Sequence, residues 1–155
     1  SYAPYGSTLA PVRRMRVYKQ FLRERGLVVR DELIEYGAFT PESGYQATLR
    51  LLQLEQVPTA IFALNDVMAF GAMTAIQESG LKTPEDISVV GYDGIHLARY
   101  TSPSLTTLHA PNVEQGELAA KMLLDIINDK PIESQHIELF PQLIVRDSCG
   151  QAPEH

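Results

Sequence analysis

The chain of 155 residues has one cysteine, no tryptophan and no long apolar run. Cys149 alone cannot close an internal disulfide, which excludes a small secreted domain stapled by cross-links. No apolar stretch reaches the ~18 residues needed to cross a bilayer, and the opening residues carry no signal-peptide pattern. Those absences point to the cytoplasm, unless a preceding segment carries a signal. Enzyme signatures are missing too: there is no G-x-S-x-G, no glycine-rich phosphate loop and no G-x-G-x-x-G. His96, His109, His136 and His155 stand far apart in sequence. They form no ligand pair at helical spacing, and with a single cysteine this argues against zinc.

A surplus of positive charge is also absent. Thirteen basic and nineteen acidic residues leave a net charge of −6. The imbalance is uneven. Residues 1–30 hold Arg13, Arg14, Arg16, Lys19, Arg23, Arg25 and Arg30 against Glu24 alone, while the rest of the chain is strongly acidic. An acidic chain does not by itself offer the basic surface that nucleic-acid phosphates require. The basic stretch reads first as the solvated face of one amphipathic helix.

What is present is an alternation of helix and strand patterns. Met15, Tyr18, Phe21 and Leu22 recur at helical spacing before Gly26. Leu33-Ile34-Glu35-Tyr36 reads as a short strand. Thr40-Pro41 reads as an N-cap followed by proline in the first turn, opening a helix with Tyr45, Leu49 and Leu52 on one side. Val57 to Leu64 contains the run Ala60-Ile61-Phe62-Ala63-Leu64, which suits a strand buried on both faces. Asn65 caps a helix from Asp66 to Ser79 that Gly80 ends. That helix is apolar nearly all round, which predicts one side on the sheet and the other on a second chain.

Ile87 to Tyr92 reads as the next strand, and Leu105 to Leu108 as a short one. Asn112-Val113-Glu114-Gln115 fits a capping box. The core face of the helix it opens is Ala119, Met122, Leu123, Ile126 and Ile127. Ile137 to Leu139 and Leu143 to Val145 close the pattern as strands. The expected fold is therefore α/β, a doubly wound and mainly parallel sheet. Such sheets bind ligands just beyond the carboxyl ends of their strands. Asn65, Asp66 and Asp93 follow buried strands directly, and Phe39 follows the strand ending near Tyr36. Two readings of Asn65-Asp66 stand level: helix cap with an acidic first-turn residue, or polar pair at a pocket mouth. Asp93-Gly94 is a common turn pair that also lies at a strand's carboxyl end. The chain opens with a loop, Ser1 to Leu9, and a helix, where a doubly wound sheet normally opens with a strand; this reads as a piece of a longer protein.

Four blocks carry a resemblance. Pro58-Thr59-Ala60-Ile61-Phe62-Ala63-Leu64-Asn65-Asp66-Val67-Met68-Ala69-Phe70-Gly71-Ala72 resembles the P-T-A-h-F-x-x-N-D-x-h-A-h-G-A block of the lactose-repressor (LacI/GalR) family of bacterial transcription regulators. Pro84-Glu85-Asp86-Ile87-Ser88-Val89-Val90-Gly91-Tyr92-Asp93 is similar to its P-x-D-h-S-V-h-G-F/Y-D-D block. Ser102-Pro103-Ser104-Leu105-Thr106-Thr107 resembles S-P-P-L-T-T, and Leu143-Ile144-Val145-Arg146-Asp147-Ser148 resembles L-h-V-R-x-S. The four blocks stand in the family's order, and the likeness as a whole covers about residues 11–150.

The resemblance implies two periplasmic-binding-protein-like subdomains of type I around a ligand cleft, preceded by a helix-turn-helix. This chain matches chiefly the C-terminal subdomain. It implies a partial effector-binding domain over 1–150, with 10–109 and 140–150 in the C-terminal subdomain and 110–139 in the N-terminal one, and a tail at 151–155. The helix at 112–129 is then left without its normal partners. Arg14 matches the family's effector-gripping arginine, although Val17 stands where glycine is usual. Phe39 matches an aromatic lying against the ligand. Asn65, Asp66 and Asp93 match polar cleft residues, and Gly94 replaces the common second aspartate. Phe70 and Tyr100 fall near the family's dimer seam.

An arginine fork, carboxylate acceptors and an aromatic face suit a polyol, so the implied partner is a sugar or sugar derivative. A homodimer follows, with operator DNA reached only through a domain outside this chain. No catalysis, cofactor, metal or membrane is implied. The alternative is a transport-linked sugar-binding protein of the same fold. Less favoured are an α/β enzyme or receiver domain, since Asp93 has no suitably placed lysine, and a purely structural domain.

Overall fold

A computed structural model describes residues 9–132, 134 and 136–151. Of the loop expected at Ser1 to Leu9, residues 1–8 lie outside the described residues and Leu9 already opens a helix; residues 152–155 of the expected tail, His155 among them, also lie outside. Among the described residues four helices and four strands follow one another as α1 (Leu9–Glu24), α2 (Pro41–Leu52), β1 (Ala60–Phe62), α3 (Asp66–Glu78), β2 (Ser88–Asp93), β3 (Thr106–His109), α4 (Asn112–Ile127) and β4 (Gln142–Ile144). Short 3-10 turns occupy Asp31–Leu33 and His96–Arg99. The strands form one sheet in the order β1-β2-β3-β4. The pairs β1-β2 and β2-β3 are parallel, and β4 runs antiparallel to β3. The α/β, mainly parallel fold expected from the alternating pattern is the one observed.

Local chemistry accounts for the helix ends. Thr40 and Ser43 form a reciprocal capping box, each backbone N–H donating to the other's hydroxyl at 3.2 Å, with Pro41 in the first turn. Asn65 caps α3 by accepting from the Met68 N–H at 2.8 Å. After α1, Leu27 N–H donates to Leu22 O and Gly26 N–H to Arg23 O, closing the helix with Gly26 in the left-handed region.

The core lies between α3 and the sheet. Ala69, Met73 and Ile76 meet Ile87, Val89, Ala98 and Leu105, with Ala63 beside them. Another side of α3 packs against α2 of the same chain, a neighbour that the apolar pattern of α3 did not specify. Small residues make this contact close. A Cβ at Gly71 would stand 1.9 Å from Pro41 O, and one at Gly44 would stand 2.2 Å from Met68 O. The buried face of α2 is accordingly Gly44, Ala47, Thr48 and Leu51, displaced from the expected Tyr45, Leu49 and Leu52, which are half-buried.

Other expectations also change. Residues 34–36 form no strand. Asp31–Leu33 turn instead, with Leu33 N–H donating to Arg30 O and Ile34 N–H to Asp31 O. β1 is shorter than the expected strand and is not buried on both faces: it ends the sheet, and Phe62 is 42% exposed. Residues 137–139 form no strand, and only 142–144 pair at the sheet's end. The capping box at Asn112 is absent because α4 starts one residue earlier. Pro111 takes the cap position, and Asn112, already in the helix, cannot cap it. No residue of α4 is buried, and Leu123, Leu124, Ile126 and Ile127 are all more than half exposed.

The C-terminal segment ties the strands together. Ser148 is fully buried. Its hydroxyl donates to Val89 O at 2.6 Å and accepts from Thr106 N–H at 2.8 Å, bridging β2 and β3.

Candidate cleft at the carboxyl ends of the strands

The carboxyl ends of β1, β2 and β3 and the first half of α1 converge on one region. Leu64 leaves β1, Asp93 ends β2, and Ala110 and Pro111 follow β3. Arg14, one turn into α1, donates from Nη1 to Leu64 O at 2.7 Å. Its guanidinium also lies over the Tyr92 ring, 3.4 Å from the ring centre. A carbonyl bond and a stacked face together fix the plane of the fork. A cavity of about 270 Å³ opens here, lined by Arg14, Tyr92, Asp93, Asn112, Gln115 and Leu139 among others.

Asp93 sits half-buried with φ of 121°. That left-handed backbone is rare for a residue with a side chain. Burial raises its carboxyl above the ordinary value of 3.8; the Arg14 cation opposes this and the Asp66 carboxylate adds to it. The next residue, Gly94, also has positive φ, and a Cβ there would stand 2.5 Å from His109 Nδ1. An aspartate at position 94 therefore does not fit this backbone beside His109.

The candidate residues divide in position. Arg14 and Asp93 come together on the cavity. Asn65 is buried and its amide oxygen is engaged in the cap of α3. Asp66 is fully buried, and its carboxylate accepts from Ile95 N–H at 2.8 Å and from the Thr107 hydroxyl, so its oxygens turn inward. Phe39 is 40% exposed, in the left-handed region at φ 61°, in the turn before α2. It is not part of the cavity wall. Phe70 lines a separate cavity of about 440 Å³ with Met73, Gln77, Thr101 and Pro103. Tyr100, beside Thr101, is 66% exposed and its ring lies 5.2 Å from that of His96.

Sequence reasoning missed Tyr92, Asn112, Gln115 and Thr107. Tyr92 carried a signal, since it immediately precedes Asp93 at the strand's end. Gln115 was absorbed into a capping box that the structure does not form. Among the described residues there is no cluster of metal-binding side chains, and no helix is long and apolar enough to cross a membrane.

This arrangement, a parallel sheet with polar side chains gathered at its carboxyl edge, is that of a periplasmic binding protein-like domain. The model of that family matches residues 4–149, and the chain belongs to it. Within it, the likeness to the lactose-repressor type holds. The HTH-type transcriptional repressor PurR of Erwinia tasmaniensis is 50% identical over 132 residues, which cover 85% of this chain and 39% of that protein. The PurR repressor of Serratia proteamaculans is 47% identical over 140 residues, covering 90% of this chain and 41% of that one. Among solved structures, the Escherichia coli repressor ascG superposes with a TM-score of 0.83 at 34% identity, covering 88% of this chain and 49% of that one. An Escherichia coli sugar-binding regulator of the LacI family, complexed with phosphate, gives 0.85 at 34%, covering 97% and 53%. The regulator CelR, in complex with cellobiose, gives 0.82 at 34%, covering 88% and 42%. The chain spans about two-fifths of the length of the curated relatives it matches.

Proposed function

We propose that this chain is the C-terminal lobe of a small-molecule sensing domain in a bacterial transcription regulator. The observation that carries the reading is the meeting of Arg14, Tyr92 and Asp93 on one cavity at the strands' carboxyl ends. A fixed guanidinium and a half-buried carboxyl offer donors and acceptors to vicinal hydroxyls, and the effector is a sugar or sugar derivative. A site that pairs its polar groups with hydroxyls rejects ligands that leave those groups unpaired. Phe39 approaches the ligand from the turn before α2, outside the cavity wall, while Asn65 and Asp66 back the same edge without lining it.

Residues 10–109 and 140–150 form this lobe, and residues 110–139 belong to the second lobe. The exposed apolar face of α4 supports that division, because a contiguous apolar helix face is buried by a partner. Closure of the two lobes alters the geometry of a homodimer whose seam includes Phe70 and Tyr100. A helix-turn-helix outside this chain then changes its affinity for operator DNA, with a coupling of about 1–3 kcal/mol. The protein works in the cytoplasm and carries out no catalysis. The relatives are repressors, which disfavours the transport-linked alternative.

The test is calorimetry on the full-length protein against sugars, phosphosugars and nucleobases. A sugar should bind, and Arg14→Ala should weaken that binding by about 1.5–3 kcal/mol, the worth of a charge-assisted hydrogen bond. Unchanged affinity in Arg14→Ala removes Arg14 from the site, and binding confined to nucleobases overturns the sugar assignment.

A further inference from the structure

The turn that presents Asp93 is held from behind. Asp93 and Gly94 both have positive φ, at 121° and 71°, so nothing intrinsic to residue 93 favours this backbone. Gly94 N–H donates to Thr107 Oγ1 at 3.3 Å, and the Thr107 hydroxyl donates in turn to Asp66 Oδ1. The other oxygen, Oδ2, accepts from Ile95 N–H at 2.8 Å. One carboxylate therefore gathers two consecutive amides, the first through a threonine hydroxyl. The backbone beneath leaves room for it: a Cβ at Gly91 would stand 2.2 Å from Asp66 Oδ1. Asp66 and Thr107 are both without solvent exposure. A carboxylate so deeply buried requires hydrogen-bonding partners to be tolerated, and all those found here come from the turn or the strand beside it.

We propose that Asp66 and Thr107 are positioning residues, forming a clamp that holds the Asp93–Ile95 turn so that the Asp93 carboxyl faces the cleft. This rests on the reading that Asp93 is a cleft residue. Asp66 acts on the effector through Asp93 and touches no ligand itself. Thr107 needs its hydroxyl for this: the methyl group of a valine fills the space but relays nothing from Gly94 N–H.

The experiment compares the protein with Thr107→Val and Thr107→Ser, following the Asp93 carboxyl by carbon-13 NMR through a pH titration. In Thr107→Val the turn relaxes and the carboxyl moves toward water, so its titration midpoint falls toward the ordinary carboxylate value. Thr107→Ser restores the midpoint. Hydrogen exchange at Gly94 and Ile95 should quicken at least about tenfold in Thr107→Val while amides of α2 stay unchanged. An unchanged midpoint and unchanged exchange overturn the clamp. Should Thr107→Val fail to fold, the unaltered protein still decides: the Gly94 and Ile95 amides should be at least about 100-fold protected over free peptide, and free exchange overturns the proposal. None of these readouts uses an effector. If the clamp holds but Asp93→Asn leaves the sugar binding found by calorimetry untouched, the clamp stands and the assignment of Asp93 to the cleft fails.

Discussion

Adding one methyl group to α3 tests how closely the two helices depend on missing side chains. Gly71→Ala places a carbon 1.9 Å from Pro41 O and 2.8 Å from Tyr45 N, where ordinary contact is 3.4–4 Å. Both neighbours are backbone atoms of α2, so no side chain can rotate away. Relief requires α2 to move off α3, which loosens the packing of Ala47, Thr48 and Leu51. Overpacking of this kind costs about 1–3 kcal/mol and sometimes more. Against it stands the helix propensity gain of about 1 kcal/mol for alanine over glycine. Because the clash is with main chain, the steric cost stands at the upper end, about 2–3 kcal/mol, and the net loss should be about 1–2 kcal/mol. For a domain of this size that lowers the melting temperature by about 2–4 °C per kcal/mol. Gly116 supplies the opposite case. It lies inside α4, and a Cβ there meets nothing within 4 Å. Gly116→Ala should raise the stability of this chain by about 0.5–1 kcal/mol. Thermal and urea unfolding read both. Equal stability of Gly71→Ala and the unaltered chain would refute the close-contact argument.

The remaining predictions concern the cleft and the sheet. Asp93 has a raised folded-state value, so the folded protein holds that proton more tightly than the unfolded chain does. Its contribution is present in full below the unfolded value and is lost as pH rises through the folded one; Asp93→Asn should remove that part of the acid-side pH dependence in unfolding curves. Removing the opposing cation in Arg14→Ala should push the Asp93 carboxyl further upward, visible in its NMR titration. Ser148→Ala leaves the buried Thr106 N–H unpaired between β2 and β3 and should cost about 1–3 kcal/mol in denaturant unfolding. Phe39→Asn relieves a left-handed aromatic residue and should stabilise the protein by about 1 kcal/mol, while calorimetry shows sugar binding weakened.

Elements settled by their own neighbouring residues were legible in the sequence. Thr40-Pro41 and Asn65 announced helix starts because capping is settled by a few neighbouring atoms. The Ile87–Tyr92 pattern announced β2 because its alternate residues, Val89 and Gly91, are buried in the middle of the sheet. What failed was whatever needs a distant partner. Leu33–Tyr36 and Ile137–Leu139 have strand-like composition, but composition does not supply a neighbouring backbone to pair with. The contact between α3 and α2 was hidden for a related reason. An apolar helix surface says that something covers it, and only the positions of Gly44 and Gly71 say that α2 is near enough to do so.

The same distinction governs the candidate site. Arg14 and Asp93 are 79 positions apart in the chain, so no local rule joins them; the likeness to a family paired them before any geometry did. Asn65 and Asp66 were indistinguishable as cap or pocket residues from spacing alone, and the structure separates them by direction. Asn65 reaches along its own helix to Met68 N–H, whereas Asp66 reaches across the sheet to Thr107 and Ile95. Two adjacent polar residues thus do unlike work: one starts α3, and the other fastens the end of β2 to β3. That fastening requires a residue without a Cβ at 91, a hydroxyl at 107 and a carboxylate at 66 together. No one of these positions is informative alone, and substituting any one should disturb the turn at 93–95 more than it disturbs α2.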